Sequence, residues 1–352
     1  GRTAGHITGY SDKGKSGIEA SENFVLNTVD HNLLQRGKAL FTGELPKGNS
    51  VVLTVDITLQ EKAAQLLDGA NGAIVVMEPS TGRILALYGY PDYDPNTILE
   101  DWDALQTVQD SPLLNRVTQG LYPPGSTFKM VTALAAMKYL EDWENFIYDC
   151  TGEASFTDKE IHCYNNRAHG TVDMAEALAT SCNCYFAALA EKIGAENLLK
   201  TMEEVGMTAV YGMELPVSLN KVGLTADAAD NELVETSIGQ GKTVVTPLYM
   251  AMLISAVAND GIMMQPYLVD HVLHADDSTS DTTLPSQLRQ ICTVQEAEIL
   301  QNMLQGVVES GTGTGAQVEG VTVAGKTGTA ENATGNDHSW FVGFAPAEDP
   351  QV

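Results

Sequence analysis

Positive charge is scarce in this 352-residue chain. Nineteen Lys and Arg stand against 46 Asp and Glu, a formal net charge of −27. A field of that sign repels phosphate backbones, so no nucleic-acid partner is expected. It equally disfavours docking on anionic lipid through a basic patch. Long hydrophobic runs are also missing. The longest, such as Leu248 to Ala258, reach about half of the roughly 20 residues that a membrane crossing needs, and suit buried helices instead. Cysteine is sparse and odd in number, with five residues, which excludes a disulfide scaffold. Gly at 32 and Pro at 13 are ordinary and exclude a low-complexity chain. No charged-then-apolar leader opens the sequence, which begins Gly1-Arg2-Thr3-Ala4 without Met and reads as a trimmed chain.

What is present is a core-forming composition. Apolar residues make up 43% and charged residues 18%, enough to bury a sizeable interior. The length suggests about two domains, or one large domain with an appendage. Residues 1–48 are glycine-rich and polar, too short for a core of their own, and read as the tail of an upstream domain plus a linker. From Ser50 the texture changes. Val51–Val55 predicts a strand, Asp56 or Thr58 a cap, and Leu59, Ala63, Leu66 and Leu67 one helix face. Ala73–Met77 and Arg83–Tyr88 read as a hairpin around Glu78-Pro79-Ser80-Thr81-Gly82. Residues 89–124 read as loop-rich and 144–170 as irregular.

Helices are expected over Ser126–Leu140, 173–192, 194–205, Pro247–Ala258 and Glu296–Glu309. Asn259-Asp260-Gly261 stops the fourth of these. Residues 275–285 read as an acidic surface loop. Val321–Ala330 and Ser339–Ala345 read as two strands. The fold class is α/β in content, of α+β type: a mostly antiparallel sheet flanked by helices.

The cysteines invite two readings. Cys182-Asn183-Cys184 has one residue between its thiols, where redox and zinc pairs have two. It reads as small buried residues on a helix. Cys150 and Cys163 flank a polar stretch, and the spacing leaves open whether they pair.

Three motifs carry chemistry. Ser126-Thr127-Phe128-Lys129 follows Pro123-Pro124-Gly125 and opens a helix whose apolar face is Met130, Val131, Leu134 and Met137. The hydroxyl then lies at a positive helix end with Lys129 one turn on. A serine hydroxyl is a poor nucleophile until a base takes its proton, and a lysine is that base only where burial or a second cation keeps its amine partly neutral. A second Ser-x-x-Lys, Ser218 to Lys221, lacks a helical pattern and reads as surface loop. Ser181-Cys182-Asn183 lies in a helical stretch, and its decoy, Ser21-Glu22-Asn23, in the polar head. Lys326-Thr327-Gly328-Thr329 lies in an alternating strand, where a glycine often marks close approach of a ligand backbone.

Ser-x-x-Lys, Ser-x-Asn and Lys-Thr-Gly in this order resemble the signature of penicillin-binding proteins and class A β-lactamases, with Cys182 in place of Asp in the middle motif. Further segments sharpen the resemblance to class B penicillin-binding proteins. They are Gly14-Lys15-Ser16-Gly17-Ile18-Glu19, Met77 to Ala86, Asn115-Arg116, Gly239-Gln240-Gly241 with Thr246-Pro247, and Trp340 to Pro346. The resemblance implies a monofunctional peptidoglycan D,D-transpeptidase with the penicillin-binding-protein/serine β-lactamase-like fold and an all-helical subdomain. Residues 1–48 would be a remnant of the N-terminal pedestal plus linker, and 49–352 the transpeptidase domain.

By the same resemblance, Ser126 is the acylated nucleophile, Lys129 its general base and Ser181 the proton relay to the leaving amine. Asn183 holds the substrate amide. Lys326 lowers its neighbour's pKa and, with Thr327, Gly328 and Thr329, binds substrate. Backbone N–H groups of Ser126 and Thr329 form the oxyanion hole, at roughly 3 kcal/mol per donor. No cofactor or metal is expected. The partners implied are stem peptides ending in D-Ala-D-Ala, β-lactam antibiotics, and glycan-polymerising and morphogenesis proteins of the membrane. The place implied is the extracytoplasmic face of the bacterial cell membrane. The family also implies an anchor before residue 1, and a strand and helix after Val352 whose lack leaves a sheet edge unpaired. The alternatives are a D,D-carboxypeptidase, a serine β-lactamase, whose Glu-x-x-Leu-Asn motif is not found, and a non-catalytic penicillin sensor or scaffold. Gly311-Thr312-Gly313-Thr314-Gly315 fails the dinucleotide spacing and reads as a loop.

Overall fold

A computed structural model describes residues 2–28, 48–157, 159–274, 276–330 and 337–352. In chain order its main elements begin with β1 (Ser50–Leu53), α1 (Ile57–Leu67), β2 (Gly72–Met77), β3 (Ile84–Tyr90), α2 (Ile98–Thr107) and α3 (Lys129–Tyr139). Four short strands follow: β4 (Tyr148–Cys150), β5 (Glu153–Phe156), β6 (Lys159–His162) and β7 (Gly170–Val172). Next come the helices α4 (Met174–Ala179), α5 (Asn183–Ile193), α6 (Ala195–Glu204), α7 (Asp230–Ser237) and α8 (Pro247–Ala258). The chain ends with β8 (Ile262–Met264), β9 (Val269–Leu273), β10 (Thr279–Ser280), β11 (Gln287–Gln290), α9 (Val294–Glu309), β12 (Ala324–Ala330) and β13 (His338–Phe344).

The ladders are antiparallel throughout. They pair β2 with β3, β12 with β13, β1 and β10 with β9, β8 with β11, β4 with β7 and β5 with β6. The mixed α+β class expected from the sequence is therefore what forms. β13 pairs only with β12, and β2 only with β3, among the described residues, so each keeps a free edge.

Helix α8 explains the layering. Eleven of its 12 residues are buried, and it contacts both β2 and β13. A helix apolar all round belongs inside. Thr246 caps its start, accepting from Tyr249 N at 3.1 Å, and Pro247 takes the first turn, where an N–H would go unused. α3 behaves likewise. Its expected apolar face turns out to be no face at all, because every residue from Lys129 to Ala136 is buried.

Several local expectations are corrected. In α1 the cap is Asp56, which accepts from Thr58 N and Leu59 N. Leu59 and Leu66 are exposed at 38% and 65%, and the buried pair is Gln60 and Ala63. Polar Gln60 faces inward because β3 has one edge without a strand. Its amide accepts from Leu87 N at 2.8 Å and donates to Leu87 O at 2.7 Å, replacing that missing partner. Residues 89–124 contain helix α2. Residues 144–170 are not irregular but hold β4 to β6 and the start of β7. The run 173–192 is broken at Ser181, whose φ of 55° is left-handed, so α4 and α5 are separate helices.

Residues 2–27 lie on this body. Ile7 and Ile18 are 1% and 6% exposed within the main core, and Tyr93 Oη donates to Gly5 O at 2.9 Å. Most of the expected linker, residues 29–47, falls outside the described residues. No helix among the described residues is long and apolar enough to cross a membrane.

Gln60 yields a prediction. Gln60→Leu leaves the N–H and C=O of Leu87 buried without partners, each a loss of about 1–3 kcal/mol. Urea denaturation is expected to show a lower midpoint at unchanged slope. An unchanged midpoint would show that the amide does not carry this edge.

Candidate active site

The residues of all three motifs converge, although roughly 50 and 140 residues separate them in sequence. Pro124 leads into a tight helical turn, Gly125–Phe128, which continues as α3. Ser126 is half-buried on that turn and makes no side-chain hydrogen bond among the described residues. Thr127 Oγ1 donates to Pro124 O at 2.7 Å and locks the turn. Trp340 Nε1 on β13 donates to Pro123 O at 3.0 Å and holds it from the sheet side.

Lys129 begins α3 and is fully buried. Its ammonium donates to Ser181 O at 2.7 Å, to Asn183 Oδ1 at 2.6 Å and to Ser181 Oγ at 3.2 Å. Lys326, on β12, is also fully buried. It donates to the same Ser181 Oγ at 3.1 Å and to Thr327 O at 3.0 Å. Two amines from opposite sides of the site therefore share one hydroxyl.

The electrostatics follow from this burial. Desolvation pushes Lys129 down to about 8, against the opposing pull of the nearby sulfurs of Cys182, Cys163 and Cys184. Desolvation and then the charge of Lys129 push Lys326 well below the ordinary lysine range. Both shifts favour the neutral amine, the form that accepts a proton. The Lys129 ammonium also sits over the Phe186 ring, 5.7 Å from its centroid.

The segment carrying Ser181 and Asn183 is built to present them. Helix α4 ends as Cys182 N returns to Ala177 O at 2.8 Å, and the left-handed Ser181 turns its hydroxyl and carbonyl toward the lysines. A left-handed serine costs of order 1–3 kcal/mol and persists only where its surroundings hold it. Here both lysines do. Asn183 opens α5 and donates from Nδ2 to His162 O at 2.8 Å, which orients Oδ1 toward Lys129.

On β12, Thr329 is exposed and Thr327 half-buried. Gly328 meets the Gly125–Phe128 turn. A β-carbon there would lie 2.9 Å from Thr127 Cγ2 and 3.2 Å from Pro124 O. Close approach of the turn thus accounts for this strand glycine. Thr312 is a contact the sequence reading missed: its hydroxyl lies 2.6 Å from that of Thr327. It comes from the glycine-threonine stretch after α9, visible in the sequence only as a loop. The decoys stay outside. Ser218 bonds to Gln119 O and Lys221 is exposed, while Ser21 is exposed on the head segment.

Cys150 and Cys163 are both free, with sulfurs 3.7 Å apart, and are not joined as a disulfide. Cys182 and Cys184 are fully buried, as expected for small helix residues. Yet they lie together with Cys163, a grouping that the spacing within the Cys182-Asn183-Cys184 tripeptide does not show.

The fold and this constellation define the class of protein. The family described as "Penicillin binding protein transpeptidase domain" matches residues 72–352, and the chain belongs to that family. Among its relatives is the peptidoglycan D,D-transpeptidase PbpA of Mycolicibacterium smegmatis. It is 35% identical, over 98% of this chain and 75% of that protein. The MrdA D,D-transpeptidase of Acinetobacter baumannii is 33% identical, over 87% of this chain and 50% of its own length. Among solved structures, the D,D-transpeptidase domain of an Eggerthella lenta peptidoglycan glycosyltransferase superposes with a TM-score of 0.90 at 34% identity. That match covers 100% of this chain and 84% of the other. Penicillin-binding protein A of M. tuberculosis, solved as its imipenem acyl-enzyme complex, gives 0.91 at 32% identity, covering 99% and 85%.

The glycine at 239 tests how the turn is held. Gly125 N donates to Gly239 O at 2.9 Å, and Gly239 has a φ of 76°. A β-carbon there would lie 1.9 Å from Gly125 O. Gly239→Ala must therefore move the residue preceding Ser126. Acylation by a fluorescent penicillin is expected to slow by about 100-fold, the cost of misplacing a reacting group by about 1 Å. Gly306→Ala, with open space around its added carbon, should keep the parent rate. Equal rates in the two variants would show that this contact does not set the turn.

Proposed function

We propose that this chain is a serine acyltransferase that cross-links peptidoglycan stem peptides through an acyl-enzyme on Ser126, and that β-lactams acylate the same oxygen. The observation that carries this reading is the sharing of the Ser181 hydroxyl by two fully buried amines. That arrangement gives a proton path between a base beside the nucleophile and a second amine on the strand that would bind substrate.

In this mechanism Ser126 Oγ attacks the carbonyl of the penultimate D-Ala as its proton passes to the neutral amine of Lys129. The oxyanion lies between the backbone N–H groups of Ser126 and Thr329. As the C–N bond breaks, Lys129 returns the proton through Ser181 to the departing terminal D-Ala. An amine of a second stem then attacks the ester. Its proton passes back along the same groups to Ser126 Oγ, and the peptide cross-link forms.

Asn183 would exchange its bond to Lys129 for the substrate's amide. Lys326, Thr327 and Thr329 would bind the terminal carboxylate, while Gly328 keeps the strand against the nucleophile turn. The acyl-enzyme structures of the M. tuberculosis relative support a covalent intermediate. The same reading takes residues 49–352 as the catalytic unit and 1–48 as part of an N-terminal one. It places the reaction at the extracytoplasmic face of the membrane, among glycan-polymerising and morphogenesis proteins.

Intact mass after incubation with benzylpenicillin tests it. One penicillin adduct is expected on the parent and none on Ser126→Ala. Ser181→Ala should form the adduct about 100- to 10,000-fold more slowly, the range for loss of a positioned proton-transfer group. An adduct on Ser126→Ala at the parent rate would remove Ser126 from its role. Rapid release of penicilloate by the parent would point instead to a β-lactamase.

A further inference from the structure

Past β6 the chain presents a run of exposed residues, Tyr164 to Ala168, between buried Cys163 and half-buried His169. Tyr164 is 80% exposed. The run is nevertheless held. Tyr164–Asn166 forms one tight turn, closed by Asn166 N to Cys163 O at 2.8 Å and Arg167 N to Tyr164 O at 3.2 Å. Asn165 and Asn166 both adopt left-handed backbone, with φ of 53° and 52°. Asparagine tolerates that region better than most residues, and two in succession bend the chain sharply. Gly152 lies against the turn: a β-carbon there would stand 2.3 Å from Asn166 O. The backbone is thus fixed, while the side chains of Tyr164, Asn165, Asn166 and Arg167 make no hydrogen bond, ion pair or ring contact among the described residues.

The turn stands next to the site. His162, two residues before Tyr164, accepts at its carbonyl from Asn183 Nδ2 at 2.8 Å and so fixes the amide that reaches Lys129. Two residues span at most about 7 Å, so the turn begins within that reach of His162. Cys163, between them, packs on Cys182 and Cys184, the sequence neighbours of Asn183. The groups on offer have a common chemistry. An arginine without a counter-ion stands out where 46 acidic residues outnumber 19 basic ones. Arg meets a carboxylate through two parallel N–H donors, and Asn pairs with both the N–H and the C=O of a peptide. A Tyr ring offers a flat apolar face at small entropic cost, because only two angles must be fixed. Together they match an extended peptide that carries a carboxylate.

We infer that residues 164–167 form a subsite for the stem peptide of the acyl donor, on the far side of Asn183 from the bond that is cleaved. The inference deepens the proposed function and rests on it. In that function Asn183 holds the donor's amide, so the peptide leading to that amide runs past His162, which fixes Asn183, and onto the turn. Binding gained this far from the reacting carbonyl serves the reaction by fixing its geometry, a gain that a short substrate cannot draw on. Tyr164 and Arg167 are then specificity-determining residues. They read the length of the peptide rather than its D-Ala-D-Ala end.

The test measures binding to Ser126→Ala, which holds substrate without turning it over. Two peptides are titrated by NMR, a stem pentapeptide and N-acetyl-D-Ala-D-Ala, which share the same end and differ in length. The pentapeptide is expected to bind more tightly. Adding Tyr164→Ala or Arg167→Ala should cut that preference by about 10-fold, the scale of one lost hydrogen bond to a charged group. Arg167→Lys, which keeps the charge without the fork, should keep part of it. No preference in Ser126→Ala itself, or the same preference in both alanine variants, would overturn the proposal. Parallel weakening of the two peptides would mark a merely structural role for the turn and would overturn it as well. The benzylpenicillin adduct on Ser126 needs no stem peptide, so the subsite and the proposed function fail separately.

Discussion

The structure around the site depends on one contact: the hydroxyl of Ser181 between the amines of Lys129 and Lys326. Two ammonium groups on one oxygen in a dry interior cannot both stay charged. Desolvation penalises each, and their mutual repulsion adds to it. The site therefore stores a preference for at least one neutral amine at ordinary pH. Everything nearby serves to keep water out and these groups in place. α3 is buried on all sides, β12 lies against the turn preceding it, and α9 contacts β12 from behind.

Close backbone approach is the second constraint, and it explains residues that carry no chemistry. Gly239 lies so near Gly125 that a β-carbon would overlap its carbonyl. Gly328 is similarly pressed on Thr127. The left-handed Ser181 follows the same logic from the other side. Its strain persists because Lys129 takes its carbonyl and both lysines take its hydroxyl. Serine side chains that point into a site from regular helix offer only the hydroxyl. This turn offers hydroxyl and carbonyl together.

Much of this was legible in the sequence, and the failures have physical causes. The Ser126 helix, the Lys326 strand and the apolar α8 follow from periodicity and caps, which are local. The break at Ser181 is local too, but propensity carries no signal for a strained left-handed residue held by tertiary bonds. Gln60 was passed over because a polar residue on a helix reads as surface, and only the unpaired edge of β3 makes it core. The sulfur cluster was invisible for another reason. Cys150, Cys163 and Cys182 are spaced by 12 and 18 intervening residues, and both gaps cross strands too short and polar to register as strands. Thr312 reaches Thr327 only because α9 returns the chain to β12.

The charge of the whole chain sharpens what burial does. A net −27 should raise every lysine pKa, since a negative field favours the cation. Yet both buried lysines move the opposite way. The competition is decided by range. Exposed carboxylates act through water and fade beyond a Debye length of roughly 8 Å at physiological salt, whereas desolvation acts on the group itself. Lys129 and Lys326 are the only Lys or Arg buried among the described residues, and the acidic surface does not reach them. Under the proposed function, the same surface would repel a free carboxylate at a distance, so an anionic peptide end would gain its attraction only at contact, from Lys326 and the β12 threonines. Specificity for a substrate already held on a polymer would then need no long-range steering, and the net charge would be free to take either sign.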